Sequence, residues 1–459
     1  MNKNKFNILL FFLWLAAAVF TAFHHELWRD EAQAWCIARD CSFFEMLKLS
    51  AVEGHPILWY LLLYPFAKSG FGVYSMQALS LISCALGVFI LIFKTDLSRF
   101  QKTAAVLSAG LLYYLPVIAR NYALIPPLLF LTALYWNKRR EHPFISAVLI
   151  VLLSQTHSYM LGLSAVLALF FLIENYKKAL MPCIIIICNF IFLYLHLKGS
   201  LDANYALETK YKQIIEPLEL IVFLSKVYMF DIVNTFKPLI KYAAAVSVSG
   251  VIPFIICALI GFFKENKRVF IMVSAGIFFI LYTFSVIYFN GILYQKLYLI
   301  ILILISGVLM LNGRKNRFIE YSLNGLLIIS CFASFINVQK EILYNFSGSK
   351  ETAEYIKAHY KDEKTFTALG NPYLYSSISA YLPDKKFYSP VIKDYISYFS
   401  FYRPSAAAGS DIKDTGIVIA DEHTACSEYG LEQVFESSRI NLSSRTEREV
   451  FKICVKKKF

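Results

Sequence analysis

Charge is what this sequence has least of. Only 17% of its 459 residues are Asp, Glu, Lys or Arg, whereas 58% are hydrophobic; an average soluble domain carries roughly 25% charged residues. With a mean hydropathy of +0.54, that deficit excludes an ordinary soluble enzyme. Uncharged runs of about 18 or more residues recur over the first three quarters of the chain, each long enough to cross a ~30 Å hydrocarbon core. No Asp, Glu, Lys or Arg falls in the middle of a run. Ion-coupled carriers place ionisable groups near the bilayer midplane because charge must move there, so their absence argues against such a carrier. A flippase with a hydrophilic cleft and no titrating relay stays compatible. Metal-ligand spacing is missing among the nine cysteines. Cys84, Cys183, Cys188, Cys257 and Cys331 sit in apolar runs and read as small core residues. Cys36, Cys41, Cys426 and Cys454 fall outside the runs, and a Cys426–Cys454 disulfide is compatible with the sequence without being fixed by it. No internal repeat is evident. The N-terminus, MNKNK and then an apolar run from Phe6 to Phe23, has the outline of a secretory signal but no small-x-small site before His24, so an uncleaved anchor fits better.

What charge there is comes in short basic clusters. A net charge of +13 would suit nucleic acid if it lay on one face; here it lies between apolar runs, so no nucleic-acid partner is expected. The runs predict a polytopic α-helical membrane protein of about eleven spans, near 6–23, 73–93, 103–119, 122–136, 143–156, 158–174, 180–197, 243–263, 269–289, 297–312 and 318–338. Lys3 and Lys5 precede the first. Lys94, Arg99 and Lys102 follow the second, Lys138, Arg139 and Arg140 the fourth, and Lys177 and Lys178 the sixth. Lys264, Lys267 and Arg268 follow the eighth, and Arg314, Lys315 and Arg317 the tenth. Every second loop is basic, as positive-inside orientation requires. The chain is therefore expected in a plasma (inner) membrane, with its N-terminus cytoplasmic and its C-terminal part extracytoplasmic.

Two domains are expected: a transmembrane domain over 1–338, with long outer loops at 24–72 and 198–242, and a soluble domain over 339–459. In the second, Ser349 begins a helical pattern, ETAEYIKAHY, with a capping hydroxyl and acids in its first turn. Lys364–Leu369, Lys385–Tyr388, Gly416–Ala420 and Val450–Val455 read as short strands. The pattern is that of a small α/β domain.

The first outer loop carries the most chemistry. Directly after span one comes His24-His25-Glu26-Leu27-Trp28-Arg29-Asp30-Glu31-Ala32, an acidic pair opening a helix that runs to about Arg39. Trp28, Ala32, Trp35 and Ala38 fall on one face, which predicts a helix lying along the membrane surface. Acids in a first turn also complement the helix dipole without any catalytic duty. Glu53-Gly54-His55-Pro56 follows, with Pro56 suited to a helix start and Trp59 and Tyr60 to an interface. After span three comes Arg120-Asn121-Tyr122.

Taken together, Arg29-Asp30-Glu31-Ala32, Gly54-His55-Pro56 and Arg120-Asn121-Tyr122 resemble the GT-C glycosyltransferases, in the branch of protein O-mannosyltransferases and lipid A aminoarabinose transferases. The likeness covers roughly the first 200 residues. Two features depart from it: Ile57 stands where a second proline is common, and Lys296 is the sole candidate for a basic motif outside the late helices. The resemblance implies inverting transfer of a sugar from a polyprenyl-phosphate donor to a hydroxyl of a glycan, lipid or protein acceptor at the outer face. It assigns Asp30 as general base and Glu31 to orient either that base or the acceptor. Arg120 is the candidate for the lipid phosphate, the alternative being an arginine snorkelling at a helix end. Tyr122, His55, Lys210, Lys212 and Lys296 are the further candidate substrate contacts, and the loop lysines also suit solvent or the headgroups of membrane lipids. His157 faces the same side. Asp421-Glu422-His423 hints at a metal, but three adjacent residues on a loop rarely converge. No cofactor is assigned, and a divalent metal is left open. A lipid-linked-sugar flippase or a cell-envelope scaffold are the competing readings.

Overall fold

Apolar runs fold as helices because a backbone in hydrocarbon must satisfy its own hydrogen bonds. The computed structural model describes residues 2–198, 240–282, 294–400, 416–438 and 449–456, with side chains left out over 240–250 and 294–297. The chain divides into two compact units: residues 1–20, 54–59 and 80–338, and residues 21–53, 60–79 and 339–459. The segment 24–72, read from the sequence as one long loop, thus contributes most of its residues to the same unit as the C-terminal segment.

The helices, in chain order, are α1 (Lys3–His24), α2 (Arg29–Asp40), α3 (Phe43–Val52), α4 (Leu58–Lys68), α5 (Tyr74–Phe93), α6 (Arg99–Val106), α7 (Ile125–Trp136), α8 (Pro143–Ser154), α9 (Leu161–Asn175), α10 (Leu180–Lys198), α11 (Ile240–Glu265), α12 (Lys267–Tyr282), α13 (Tyr294–Met310) and α14 (Arg317–Leu343). Among the described residues, five are long and apolar enough to cross a membrane: α1, α5, α9 with its preceding 3-10 turn, α10 and α14. The first unit is a bundle in which α7 packs on α8 and α13, α9 on α8 and α12, and α12 on α11 and α13. Leu299 through Ile305 on α13 are all buried, as in a helix surrounded by others. By contrast, α10 leaves Leu180, Ile184, Ile191 and Leu195 uncovered, and α14 leaves Phe332 and Phe335. Apolar surface on this scale is what hydrocarbon, rather than water, would cover. Small residues let the helices approach closely. A Cβ on Gly162 would collide with that of Phe279, and one on Gly87 would sit 2.6 Å from that of Pro126.

The expected third span, 103–119, is corrected: it is not one helix. α6 ends at Val106, Ser108 is extended (φ −67°, ψ 155°), and a π-turn covers Ala109–Tyr114. Side chains enter the backbone ladder here. Trp14 Nε1 donates to the Leu111 carbonyl at 2.8 Å, Ser80 Oγ to that of Leu115 at 2.9 Å, and Ala109 N donates to Ser330 Oγ at 3.1 Å. Polar side chains inserted in this way are what interrupt a helix. The next helical segment starts with a 3-10 turn, Asn121–Leu124, before Pro126 and Pro127 open α7.

Among the described residues of the second unit, α15 (Ser349–His359) and α16 (Tyr375–Tyr381) accompany six strands: β1 (Thr365–Leu369), β2 (Lys386–Ser389), β3 (Asp394–Ile396), β4 (Ile417–Asp421), β5 (Leu431–Glu436) and β6 (Phe451–Lys456). Their order is β3-β2-β1-β4-β6-β5, with β1 parallel to β2 and β4 and the outer pairs antiparallel. The four expected strands are present, each within a residue of its expected start. β3, β5 and α16 were not expected from the pattern. The central strands are buried, through Phe366, Phe387, Ile419, Phe451 and Ile453. Cys426 and Cys454 form a disulfide, with Cα atoms 5.9 Å apart. Ser349 is not the cap of α15 but its first residue; its hydroxyl donates to the Leu27 carbonyl at 2.8 Å, while Ser347 Oγ accepts from Ser349 N at 3.1 Å.

Candidate functional site

The acidic pair lies in the second unit, in the first turn of α2 as expected. The stripe expected to face lipid is covered by protein, however. Residues Glu31 through Ala38 are all buried, and α2 packs on α16. Cys36 Sγ donates to the Ser376 carbonyl at 3.6 Å and Arg39 Nη1 to that of Ser379 at 2.9 Å. The amphipathic face read from Trp28, Ala32, Trp35 and Ala38 is therefore covered by protein. Both faces of α2 are buried, a situation that an apolar stripe alone cannot distinguish from a helix at a lipid boundary.

The two acids have different surroundings. Glu31 is sealed: its Oε2 lies 2.9 Å from His25 Nε2 and accepts from Trp28 N at 3.2 Å, the second contact being one half of a capping box. Asp30 is about one-fifth exposed; its Oδ1 accepts from the Tyr373 hydroxyl at 2.8 Å and lies 3.7 Å from Arg29 Nε. The Arg29 guanidinium in turn covers the Tyr373 ring at 5.0 Å. Burial, with the Asp30 charge beside it, pushes the Tyr373 phenol well above its usual range, so Tyr373 stays a donor to Asp30. Nearby, Gln33 Nε2 donates to Glu53 Oε1 at 2.7 Å, and the Tyr60 hydroxyl also donates to Glu53. Of the pair, Asp30 is the acid with solvent access.

Glu449 anchors the same turn. Its Oε1 accepts from Arg29 N at 2.9 Å and its Oε2 from Ser347 Oγ at 2.6 Å. Burial raises its pKa from 4.5 to about 7. The folded state then holds a proton that the unfolded chain has lost, so this group's contribution to stability falls as pH rises from 4.5 through about 7. Thermal unfolding of the intact protein is expected at progressively lower temperature across that window. Glu449→Gln, which keeps an acceptor but cannot ionise, should flatten the dependence; an unaltered slope in the variant would assign it to other groups.

The remaining candidates with described side chains belong to the first unit, where four separated segments converge. Arg120 Nη2 lies 3.5 Å from His55 Nε2, and its guanidinium sits 5.5 Å from the Tyr122 ring centre. Tyr122 stacks on His157 at 4.4 Å, and His157 lies 5.3 Å from His55 and 4.0 Å from Tyr159 between ring centres. His157 Nδ1 accepts from Tyr159 N at 3.1 Å, which in a neutral ring puts the proton on Nε2. His196 Nε2 donates to the His55 carbonyl at 3.2 Å. The result is a guanidinium framed by imidazoles and phenol rings, a setting suited to an anion. His196 was not singled out in the sequence; it ends a long apolar helix and carries no motif.

Lys210 and Lys212 lie outside the described residues, and Lys296 is described only as backbone of α13. Asp421 is committed to two neighbouring turns: it accepts from Asn371 N at 2.8 Å, Thr424 N at 3.0 Å and Thr424 Oγ1 at 2.7 Å. Among the described residues no three His, Cys, Asp or Glu side chains converge as a metal site.

The chain has no match among known protein families, curated proteins or solved structures. Fold and residues define a class on their own. This is a mostly helical chain with helices able to cross a membrane, and it carries a small mixed-sheet domain.

Proposed function

We propose that this protein is an inverting glycosyltransferase of GT-C type that moves a sugar from a polyprenyl phosphate to an acceptor hydroxyl at the outer face of a plasma (inner) membrane. The observation that carries the reading is the convergence of Arg120, His55, Tyr122 and His157. All four come from loops or helix ends that the alternation of basic clusters assigns to one side of the membrane. Arg120 holds the donor phosphate, and a fork of N–H donors stabilises the charge that builds on it as the glycosidic bond breaks. Asp30 accepts the proton of the attacking hydroxyl. The acceptor oxygen bonds to the anomeric carbon from one face, and the electron pair of the old bond leaves with the phosphate on the other. That leaving group is stable as an anion, so no general acid is required.

The same reading has eleven spans, a cytoplasmic N-terminus, and the domain of residues 339–459 outside, where the Cys426–Cys454 disulfide suits an oxidising compartment. The test is transfer itself: purified protein given a labelled polyprenyl-phosphate sugar and an envelope extract as acceptor should move label off the polyprenyl phosphate. Label that stays on the polyprenyl phosphate under all conditions contradicts the proposal.

A further inference from the structure

Glu31 and the Asp30 turn are held by a buried clasp. His25 follows α1 directly, and its ring is fully buried, with Nε2 2.9 Å from Glu31 Oε2 and Nδ1 2.9 Å from Glu341 Oε1. Neither carboxylate side chain has any solvent exposure. A neutral imidazole has one N–H and would turn a lone pair towards the second carboxylate; the imidazolium has two donors and satisfies both. Burial opposes the charge on His25, but the two carboxylates outweigh it and hold the pKa well above 6.5. The Phe346 ring closes the clasp from the side, 4.7 Å between centres. Glu26, which accepts from Phe346 N at 2.7 Å, is a further charge beside this group, and Lys350 in turn acts on Glu26.

Three segments of the second unit meet here: the residue after α1, the first turn of α2, and the last turn of α14. Glu31 spends its charge on His25 and its hydrogen bond on Trp28 N. It faces the interior, whereas Asp30, one residue earlier, faces out. We infer that His25 is a positioning residue: clasped between Glu31 and Glu341, it fixes the first turn of α2 and thereby the Asp30 carboxylate. The inference rests on the reading of Asp30 as the base, and it makes Glu31 a part of the clasp rather than a contact of the acceptor.

The clasp carries one net negative charge with His25 protonated. His25→Gln leaves two buried carboxylates facing each other, and the double variant H25Q/E341Q returns the count to one. An uncompensated buried charge is strongly destabilising, so hydrogen exchange of the amides of residues 30–33 in the full-length protein should quicken on the order of tenfold or more in H25Q. It should return towards the parent value in H25Q/E341Q. Failure of H25Q to fold while the double variant folds is the extreme form of the same result. In the transfer assay, H25Q should lower kcat roughly 10–100-fold with donor KM unchanged, because small displacements of a catalytic group cost that much; the double variant should recover most of it. Exchange in H25Q equal to the parent's, or a double variant no better than the single, overturns the clasp. Quickened exchange with kcat unaltered overturns the positioning role alone. A parent protein that transfers no sugar contradicts the glycosyltransferase reading, and the exchange data then still decide whether His25 fixes α2.

Discussion

Asp30→Asn is expected to fold, to bind the donor lipid, and to transfer sugar roughly 10²–10⁴-fold more slowly than the parent. Folding should survive because Asn retains an oxygen to accept the Tyr373 hydroxyl, 2.8 Å away, and is itself favoured near a helix start. What it loses is the 3.7 Å approach to Arg29, a part-exposed ion pair of small worth. The rate is another matter, since an amide cannot take the hydroxyl proton. Single-turnover transfer and donor binding, measured side by side, separate the two. Transfer within a few-fold of the parent would return the acidic pair to dipole complementation and leave the base elsewhere.

Arg120→Ala is expected to weaken donor binding by about 10–100-fold, since hydrogen bonds to charged groups are each worth roughly 1.5–3 kcal/mol. Arg120→Lys should recover part of this. It restores the positive charge but not the planar fork that can grip two phosphate oxygens, nor the stacking beside Tyr122. Because the guanidinium lies at the edge of hydrogen-bond reach from His55, removing it should disturb the neighbouring rings little. Donor affinity equal to the parent's in both variants would reduce Arg120 to an anchor at a helix end.

Much of this was legible in the sequence, for physical reasons. Hydrocarbon demands long uncharged helices, and the runs that became α1, α5, α10 and α14 show that demand directly. Strands rich in β-branched and aromatic residues marked β1, β2, β4 and β6. The acidic pair was found because it opens a helix directly after an apolar run. The break at Ser108 was not legible, because Trp14 and Ser80 reach the 111 and 115 carbonyls from distant segments and the interrupted stretch stays as apolar as a helix. Tyr373, the partner of Asp30, is one of 30 tyrosines and lies 343 positions away. The His25–Glu341 contact spans 316 positions. Glu341 reads in isolation as an ordinary charge at a helix end. Pairings across such separations belong to tertiary packing, and a single sequence does not encode them locally.

The central claim is that this chain makes a glycosidic bond, and one measurement bears on it most directly. The purified protein is reconstituted in vesicles with a polyprenyl-phosphate sugar labelled at the anomeric carbon. Both the fraction carrying the label and the configuration at that carbon are then read by NMR. The account predicts label in the acceptor fraction with inverted configuration, lost in Asp30→Asn. Label that remains on the lipid while crossing from one leaflet to the other, unaffected by Asp30→Asn, would contradict it.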